Sequence, residues 1–353
     1  MIDRREFLKR SAAATGTIGA SIAAGEKRNP IRCGLLGINH PHALDLLKVL
    51  TSSKEYDVVG VCEPDADVRA EFERRIKSAG VRWLSRDELL GDKTVKMVAI
   101  ESDVPRLLEL GHAAIEANKH IHLDKPAGMS LPEFSSLLDE AKRRNLIVQM
   151  AYMFRYNPGF DLIRRAVTER WLGDVYYIHG SMCTDYGPDK RTSVASYPGG
   201  IMLVLGCHLI DMIVLLLGAP SKVTSFLRHD ADADDSLMDN TLAVLEYAKA
   251  MAVVETAVME PAPFPARRFK VCGTEGSITL EPLEPPVARV SLRKPVDEFK
   301  AGTQEVRLKR MPRHVRDVSD LAACIRGESD FSYSKEHDLS VQTTLLKACG
   351  VEQ

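Results

Sequence analysis

The sequence predicts an α/β protein, an N-terminal Rossmann-type doubly wound parallel sheet followed by an α+β domain with a large, mostly antiparallel sheet. Three observations carry that expectation. Residues 31–150 alternate short apolar runs with stretches of helical length and periodicity. From 151 onward, strand-like runs follow one another, some of them across tight turns, with helices before and after them. A chain of 353 residues has length for two buried cores. The net charge of −2 leaves no basic excess for nucleic acid or an anionic membrane surface.

The elements follow in order. Residues 31–37 form a short apolar strand ending in Gly37, and 41–50 put Leu44, Leu47 and Leu50 on one helical face. Strands are then expected at 56–62, 96–100, 120–123 and 146–150, with helices at 65–79, 105–117 and 131–143 between them. In the second half, 161–171 reads as helix and 175–182 alternates as a half-buried strand does. The dense apolar run 201–217 carries His208 and Asp211, and with ionisable groups inside it reads as a buried core helix rather than a membrane span. Strands follow at 222–227, 241–247, 251–258, 269–272, 277–280 and 287–292, then helices at about 314–326 and 335–349. Three segments are expected: an export signal and linker at 1–30, a nucleotide-type domain at 31–150, and a substrate and oligomerisation domain at 151–353.

The chain opens with a charged start, a short small-residue apolar run and a small-x-small pattern at Ser21-Ile22-Ala23, the features of a secretory signal. Arg4-Arg5 followed by Glu6-Phe7-Leu8-Lys9 resembles the twin-arginine export signal. That route carries folded proteins, so a periplasmic or other extracytoplasmic location and contact with the twin-arginine machinery are expected. It also accounts for seven cysteines, odd in number and without CxxC spacing, which read as mostly buried small hydrophobes rather than disulfides.

Five segments carry a resemblance. They are Ile31–Gly37; Asn118-Lys119-His120-Ile121-His122-Leu123-Asp124-Lys125-Pro126; Arg155-Tyr156-Asn157-Pro158; Gly199-Gly200 with Gly206-Cys207-His208 and Asp211; and Gly273-Thr274-Glu275-Gly276. In this order and spacing they resemble the Gfo/Idh/MocA family (glucose–fructose oxidoreductase, inositol dehydrogenase, MocA) over about 31–349. The resemblance implies a nicotinamide cofactor and an oxidoreductase acting on a CH–OH group of a sugar, cyclitol or glycoside. It implies that Lys125, at the carboxyl edge of the parallel sheet, contacts the substrate hydroxyl, with a cis Lys125–Pro126 peptide. It also implies that His208 is the general acid/base and that the protein is a homo-oligomer.

The chain departs from the family pattern in three places. A dinucleotide fingerprint asks for three glycines, and here the spacing gives Gly37, Asn39 and His42. Asn39 and Pro41 are expected to start a helix whose N-terminus still attracts an anion. Val204 stands where the family has an aspartate, and Glu101-Ser102-Asp103 replaces its usual Thr-Pro-Asn. Glu63, ending the second strand, suits the ribose hydroxyls of NAD rather than the 2′-phosphate of NADP. His40, His42, Glu101 and Asp124 are expected beside the cofactor, and Arg155, Asp185, Tyr186 and Asp211 beside the substrate. His40 and His42 with His122 and Asp124 also raise a metal, but nothing local brings three or four ligands together, so none is expected. Two further functions stay open: glycoside cleavage through oxidation and elimination without net redox, and a lapsed enzyme that only binds a sugar.

Overall fold

The computed structural model describes residues 29–76 and 81–351, so the expected export signal lies outside the described residues up to residue 28. The chain divides into two compact units, one of residues 29–153 with 312–335 and one of residues 154–311 with 336–351.

The first unit carries strands β1 (Ile31–Leu36), β2 (Tyr56–Cys62), β3 (Met97–Ile100), β4 (His120–Leu123) and β5 (Val148–Met150) in one parallel sheet. Their order is β2-β1-β3-β4-β5. All four residues of β3 are buried, as befits a parallel strand covered on both faces. Helices α1 (Ala43–Ser52), α2 (Ala66–Ile76), α3 (Arg86–Gly91), α4 (Leu107–Glu116) and α5 (Leu131–Arg143) connect the strands. Helix α5 starts where the Ser130 hydroxyl accepts the Glu133 amide at 3.3 Å, and basic Lys142 and Arg143 complete its last turn. Helix α1 departs from expectation. It begins at Ala43 behind His42, with no side-chain cap, because residues 40–42 fold as a turn in which Ala43 N donates to His40 O at 3.1 Å.

A second correction concerns the closing helices. Helix α9 (Val315–Ile325), expected with the second half, packs in the core of the first unit. Val318, Leu321 and Ala322 join a buried cluster with Leu35, Leu46 and Phe72. The Tyr56 hydroxyl donates to Val318 O at 2.7 Å, and Arg326 pairs with Glu55.

The second unit holds helices α6 (Pro158–Thr168), α7 (Pro188–Ala195), α8 (Cys207–Leu217) and α10 (Lys335–Ala348), the last from Glu336 on. Its strands are β6 (Val175–Ser181), β7 (Lys222–Arg228), β8 (Asn240–Glu246), β9 (Met251–Ala257), β10 (Arg268–Gly273), β11 (Gly276–Leu283), β12 (Pro286–Leu292) and β13 (Gly302–Arg307). They form one sheet ordered β13-β12-β11-β10-β6-β9-β8-β7, antiparallel throughout except for the pair β6 and β9. Helix α6 starts earlier than expected because Asn157 caps it, its side-chain oxygen accepting the Gly159 amide at 2.8 Å. Strand β13 is an edge strand of polar residues and carries no apolar alternation to announce it. The run 201–217 is not one α-helix, since Met202–Gly206 makes a π-helical turn before α8. All seven cysteines are buried and none forms a disulfide.

Candidate functional site

The strand order reverses between β1 and β3, and in an open parallel sheet the crevice beyond the carboxyl ends at such a point is where ligands bind. Three connections reach it: 37–42 after β1, 101–103 after β3 and 124–130 after β4. Gly37 opens the first with φ +79°, and a Cβ there would meet Leu110 Cδ1 at 3.0 Å and Ser102 Cβ at 3.1 Å.

Beside it lies a pocket of about 500 Å³ lined by Gly37, Glu63, Arg69, Trp83, Arg86 and Arg106. The Arg69 guanidinium stacks over the Trp83 ring at 4.6 Å. A flat aromatic wall, an acid at the end of β2 and a glycine whose Cβ would be crowded fit the adenosine half of a dinucleotide. Glu63 is more committed than expected. It is 2% exposed, its Oε2 accepts Ile38 N at 3.0 Å, its Oε1 accepts Asp65 N at 3.2 Å, and Arg106 stands 3.5 Å away.

The pyrophosphate end differs from the expected cradle. Gly37 N donates to Cys62 O at 2.8 Å and His40 N to Glu101 O at 3.0 Å, so with Ile38 and Ala43 already engaged the loop spends amides on its own fold. Asn39 is exposed and caps nothing.

In that loop's vicinity stands a polar cluster. His40 Nδ1 lies 2.7 Å from Asp124 Oδ2 and 3.8 Å from Glu101 Oε2, and His42 Nδ1 lies 3.5 Å from Asp124 Oδ1. One ligating atom from each of these four residues falls within 4.8 Å of the others. This corrects the expectation that nothing brings such ligands together: three adjacent strand ends do it. Burial drives the Asp124 carboxyl up, but the His40 and Lys125 charges outweigh it and hold the group well below the usual carboxylate range. Burial, then the Asp124 charge, push Glu101 up. Burial pulls His40 down, but Asp124 outweighs it and the imidazole ends raised. Burial lowers His42 to about 4.

Lys125 follows directly. It is 4% exposed, its amide donates to Asp124 Oδ1 at 2.8 Å, and the Lys125–Pro126 peptide is cis. Deeper in the same unit, Gln149 Nε2 donates to Asp317 O at 3.0 Å, which turns Gln149 Oε1 toward His122 Nδ1 at 2.8 Å. His122 therefore carries its proton on Nδ1. His314 Nδ1 lies 3.5 Å from Asp317 Oδ2. No local signal marked His314 or Asp317, which reach this place only through helix α9.

In the second unit, His208 is 1% exposed on α8, with its ring 5.7 Å from that of Phe154. Arg155 and Asp211, read as substrate-binding, face each other instead. Arg155 Nη2 donates to Asp211 Oδ1 at 2.7 Å and to Asp338 Oδ1 at 2.6 Å, and His337 Nε2 lies 3.0 Å from Asp211 Oδ1. All three members of the Arg155, Asp211 and Asp338 set are buried, so the guanidinium holds the unit's interior together rather than offering itself to a ligand. Asp185 is exposed and Tyr186 half-buried on the loop after β6, with Lys190 Nζ 6.0 Å from the Tyr186 ring.

Known proteins support the same assignment. Residues 31–152 match the oxidoreductase family with an NAD-binding Rossmann fold, and residues 160–279 match the GFO/IDH/MocA C-terminal domain. The chain is 23% identical over 231 residues to the trans-1,2-dihydrobenzene-1,2-diol dehydrogenase of Xenopus laevis, covering 64% of this chain and 67% of that one. It is 26% identical over 257 residues to the scyllo-inositol 2-dehydrogenase (NAD(+)) of Bacillus subtilis, covering 70% and 73%. The solved UDP-N-acetylglucosamine 3-dehydrogenase of Acidithiobacillus ferrooxidans shares the fold with a TM-score of 0.73 at 19% identity, over 90% of this chain and 96% of that one. With both of its halves matched in order, the chain belongs to the Gfo/Idh/MocA family of NAD(P)-binding oxidoreductases.

Proposed function

We propose that this oxidoreductase oxidises a secondary hydroxyl of a sugar or cyclitol, or reduces the corresponding ketone, with Lys125 and His208 handling the proton and a dinucleotide that stays bound between turnovers. The observation that carries the reading is Lys125, buried just past β4 at the carboxyl edge of the same parallel sheet whose β1 and β2 ends line a pocket of adenosine character. Two relatives whose names specify a ring diol and an inositol support the substrate class. A nicotinamide bound at this crevice would supply the hydride acceptor or donor. Lys125 Nζ, held near the sheet edge by a backbone locked to Asp124, orients the substrate oxygen and takes part in moving its proton. His208, packed against Phe154, holds or receives that proton at an imidazole nitrogen.

NAD is the first reading for the cofactor, because Glu63 ends β2. NADP is the second, because Arg69, Arg86 and Arg106 line the same pocket and Glu63 is already engaged by backbone amides. Export by the twin-arginine route, read from Arg4-Arg5, agrees with a cofactor retained from the cytoplasm. Tyr176, Phe226 and Met251 are exposed on strands of the large sheet and favour pairing of copies, which light scattering tests.

The first experiment is to purify the protein without added cofactor, denature it and identify released nucleotides by mass spectrometry. Titration with NAD and NADP and a panel of cyclitols, sugars and glycosides follows. Stoichiometric nucleotide, turnover of a polyol and its abolition in Lys125→Ala are expected. Glycoside cleavage without net reduced cofactor would replace the dehydrogenase reading with oxidation and elimination. Failure to bind either nucleotide, with sugar binding intact, would sink both redox readings.

A further inference from the structure

The cluster at the crevice has a feature that dinucleotide binding does not explain. Two carboxylates are poor neighbours for a pyrophosphate, yet Glu101 and Asp124 stand fully buried at adjacent strand ends. Neither Glu101 oxygen receives a hydrogen bond; the ring nitrogens nearest to it are His40 Nδ1 at 3.8 Å and His122 Nε2 at 4.0 Å. His42 Nδ1 is buried without a hydrogen-bond partner as well. His40 Nδ1 lies 2.7 Å from Asp124 Oδ2, and two such atoms approach this closely when they share a proton or both face one cation lying to the side of the line between them; His40 Nδ1 also receives the His42 amide, at 3.4 Å.

We propose that His40, His42, Glu101 and Asp124 form a binding site for a divalent transition-metal ion, with zinc as its natural occupant. Two imidazoles and two carboxylates are borderline donors of the kind zinc takes. In tetrahedral geometry with bonds of ~2.0–2.2 Å, ligand atoms sit roughly 3.3–3.6 Å apart. One ligand atom from each of the four residues lies within 4.8 Å of the others, and His40 Nδ1 stands 3.8 Å from Glu101 Oε2 and 2.7 Å from Asp124 Oδ2, while His42 Nδ1 stands 3.5 Å from the other Asp124 oxygen, distances that bracket that spacing. A dication neutralises the two buried carboxylates and supplies the orphaned oxygens of Glu101 with a partner.

The sheet order builds the site. His40 and His42 follow β1, Glu101 follows β3 and Asp124 follows β4, three neighbouring strands whose carboxyl ends face one crevice. Backbone contacts steady it, since His40 N donates to Glu101 O and Asp124 N to Ile100 O, each at 3.0 Å. A second trio, His122, His314 and Asp317, lies close by, with rings of His122 and His314 6.2 Å apart and those of His42 and His314 5.6 Å apart. The first set is favoured because it offers four ligands rather than three, and its Glu101 carboxylate stands 4.0 Å from His122 Nε2 of the trio, beyond bonding distance.

The test uses the full chain stripped with a chelator, then equilibrated with zinc chloride alone, without nucleotide. Elemental analysis after gel filtration should give one zinc per chain. Competition with a chromophoric chelator should show at least about 100-fold weaker binding in both His42→Ala and Glu101→Gln, a larger effect than loss of a supporting contact brings. Zinc should raise the melting temperature of the parent chain and leave those two variants unmoved, while folding of the variants is checked by circular dichroism. His314→Ala should keep the metal. Zinc lost in His314→Ala but kept in His42→Ala would overturn the assignment in favour of the trio. No stoichiometric zinc in the parent chain would overturn it altogether and leave a proton-sharing network. Because the readout is metal content, it stands apart from the nucleotide measurement that tests the proposed function.

Discussion

Replacing Arg155 with methionine probes the interior of the second unit. The guanidinium is fully buried and donates to two buried carboxylates, Asp211 by Nε and Nη2 and Asp338 by Nη2. Methionine keeps most of the volume, so the cost is that of two carboxylates left without their cation rather than of a cavity. Removing one partner of a buried ion pair costs about 3–5 kcal/mol. For a unit of this size each kcal/mol moves the melting temperature by roughly 2–4 °C, which places the loss at about 6–20 °C. Asp211 sets the pH dependence. Burial drives its carboxyl up, but Arg155 and His337 outweigh that and hold it below its ordinary value. A depressed carboxyl contributes stability above the unfolded value of about 3.9 and loses it as pH falls through the folded value. In Arg155→Met burial is opposed by less, the carboxyl rises, and the gap between parent and variant narrows as acid is added. Thermal unfolding followed by circular dichroism from neutral to acid pH reads both quantities. A shift under about 2 °C at neutral pH, or a gap that widens in acid, would refute the reasoning.

Tyr56→Phe removes the hydrogen bond that ties β2 to helix α9 and should cost about 0.5–1.5 kcal/mol, with faster amide exchange in residues 315–325. Unchanged exchange there would show that the apolar contacts of Val318 and Leu321 hold the helix alone. Burial pushes the Cys183 and Cys324 thiols up to about 11 and Cys33 up to about 12. A disulfide reagent near neutral pH should therefore find no fast thiol in the folded chain and all seven after denaturation; one rapid native thiol would contradict the burial argument.

Sequence pattern located elements most sharply where local chemistry brackets an apolar run. Strands β2 and β4 and helix α5 begin and end where the sequence places them, because polar turns or a serine cap stand at their borders. Strand β13 is illegible in the sequence because Gly302–Arg307 is polar and gains its order from pairing with β12. The π-helical turn at Met202–Gly206 left no trace in an apolar run whose periodicity is saturated. The ion pairs of Arg155 are illegible for a related reason: its partners Asp211 and Asp338 lie 56 and 183 residues away, and no spacing rule connects them.

By itself the sequence determined the alternation that makes the parallel sheet, the glycine that turns the chain after β1, and the strand-end position of Lys125, since each depends on neighbours within a few residues. Tertiary structure alone decided that helix α9 returns to the first unit's core and that Glu63, expected at the ribose hydroxyls, also accepts the backbone amides of Ile38 and Asp65. It also decided that two histidines, a glutamate and an aspartate from three strand ends converge. That convergence follows from the order β1-β3-β4 in the sheet, and strand order depends on how right-handed crossovers pack across the whole unit rather than on any one segment.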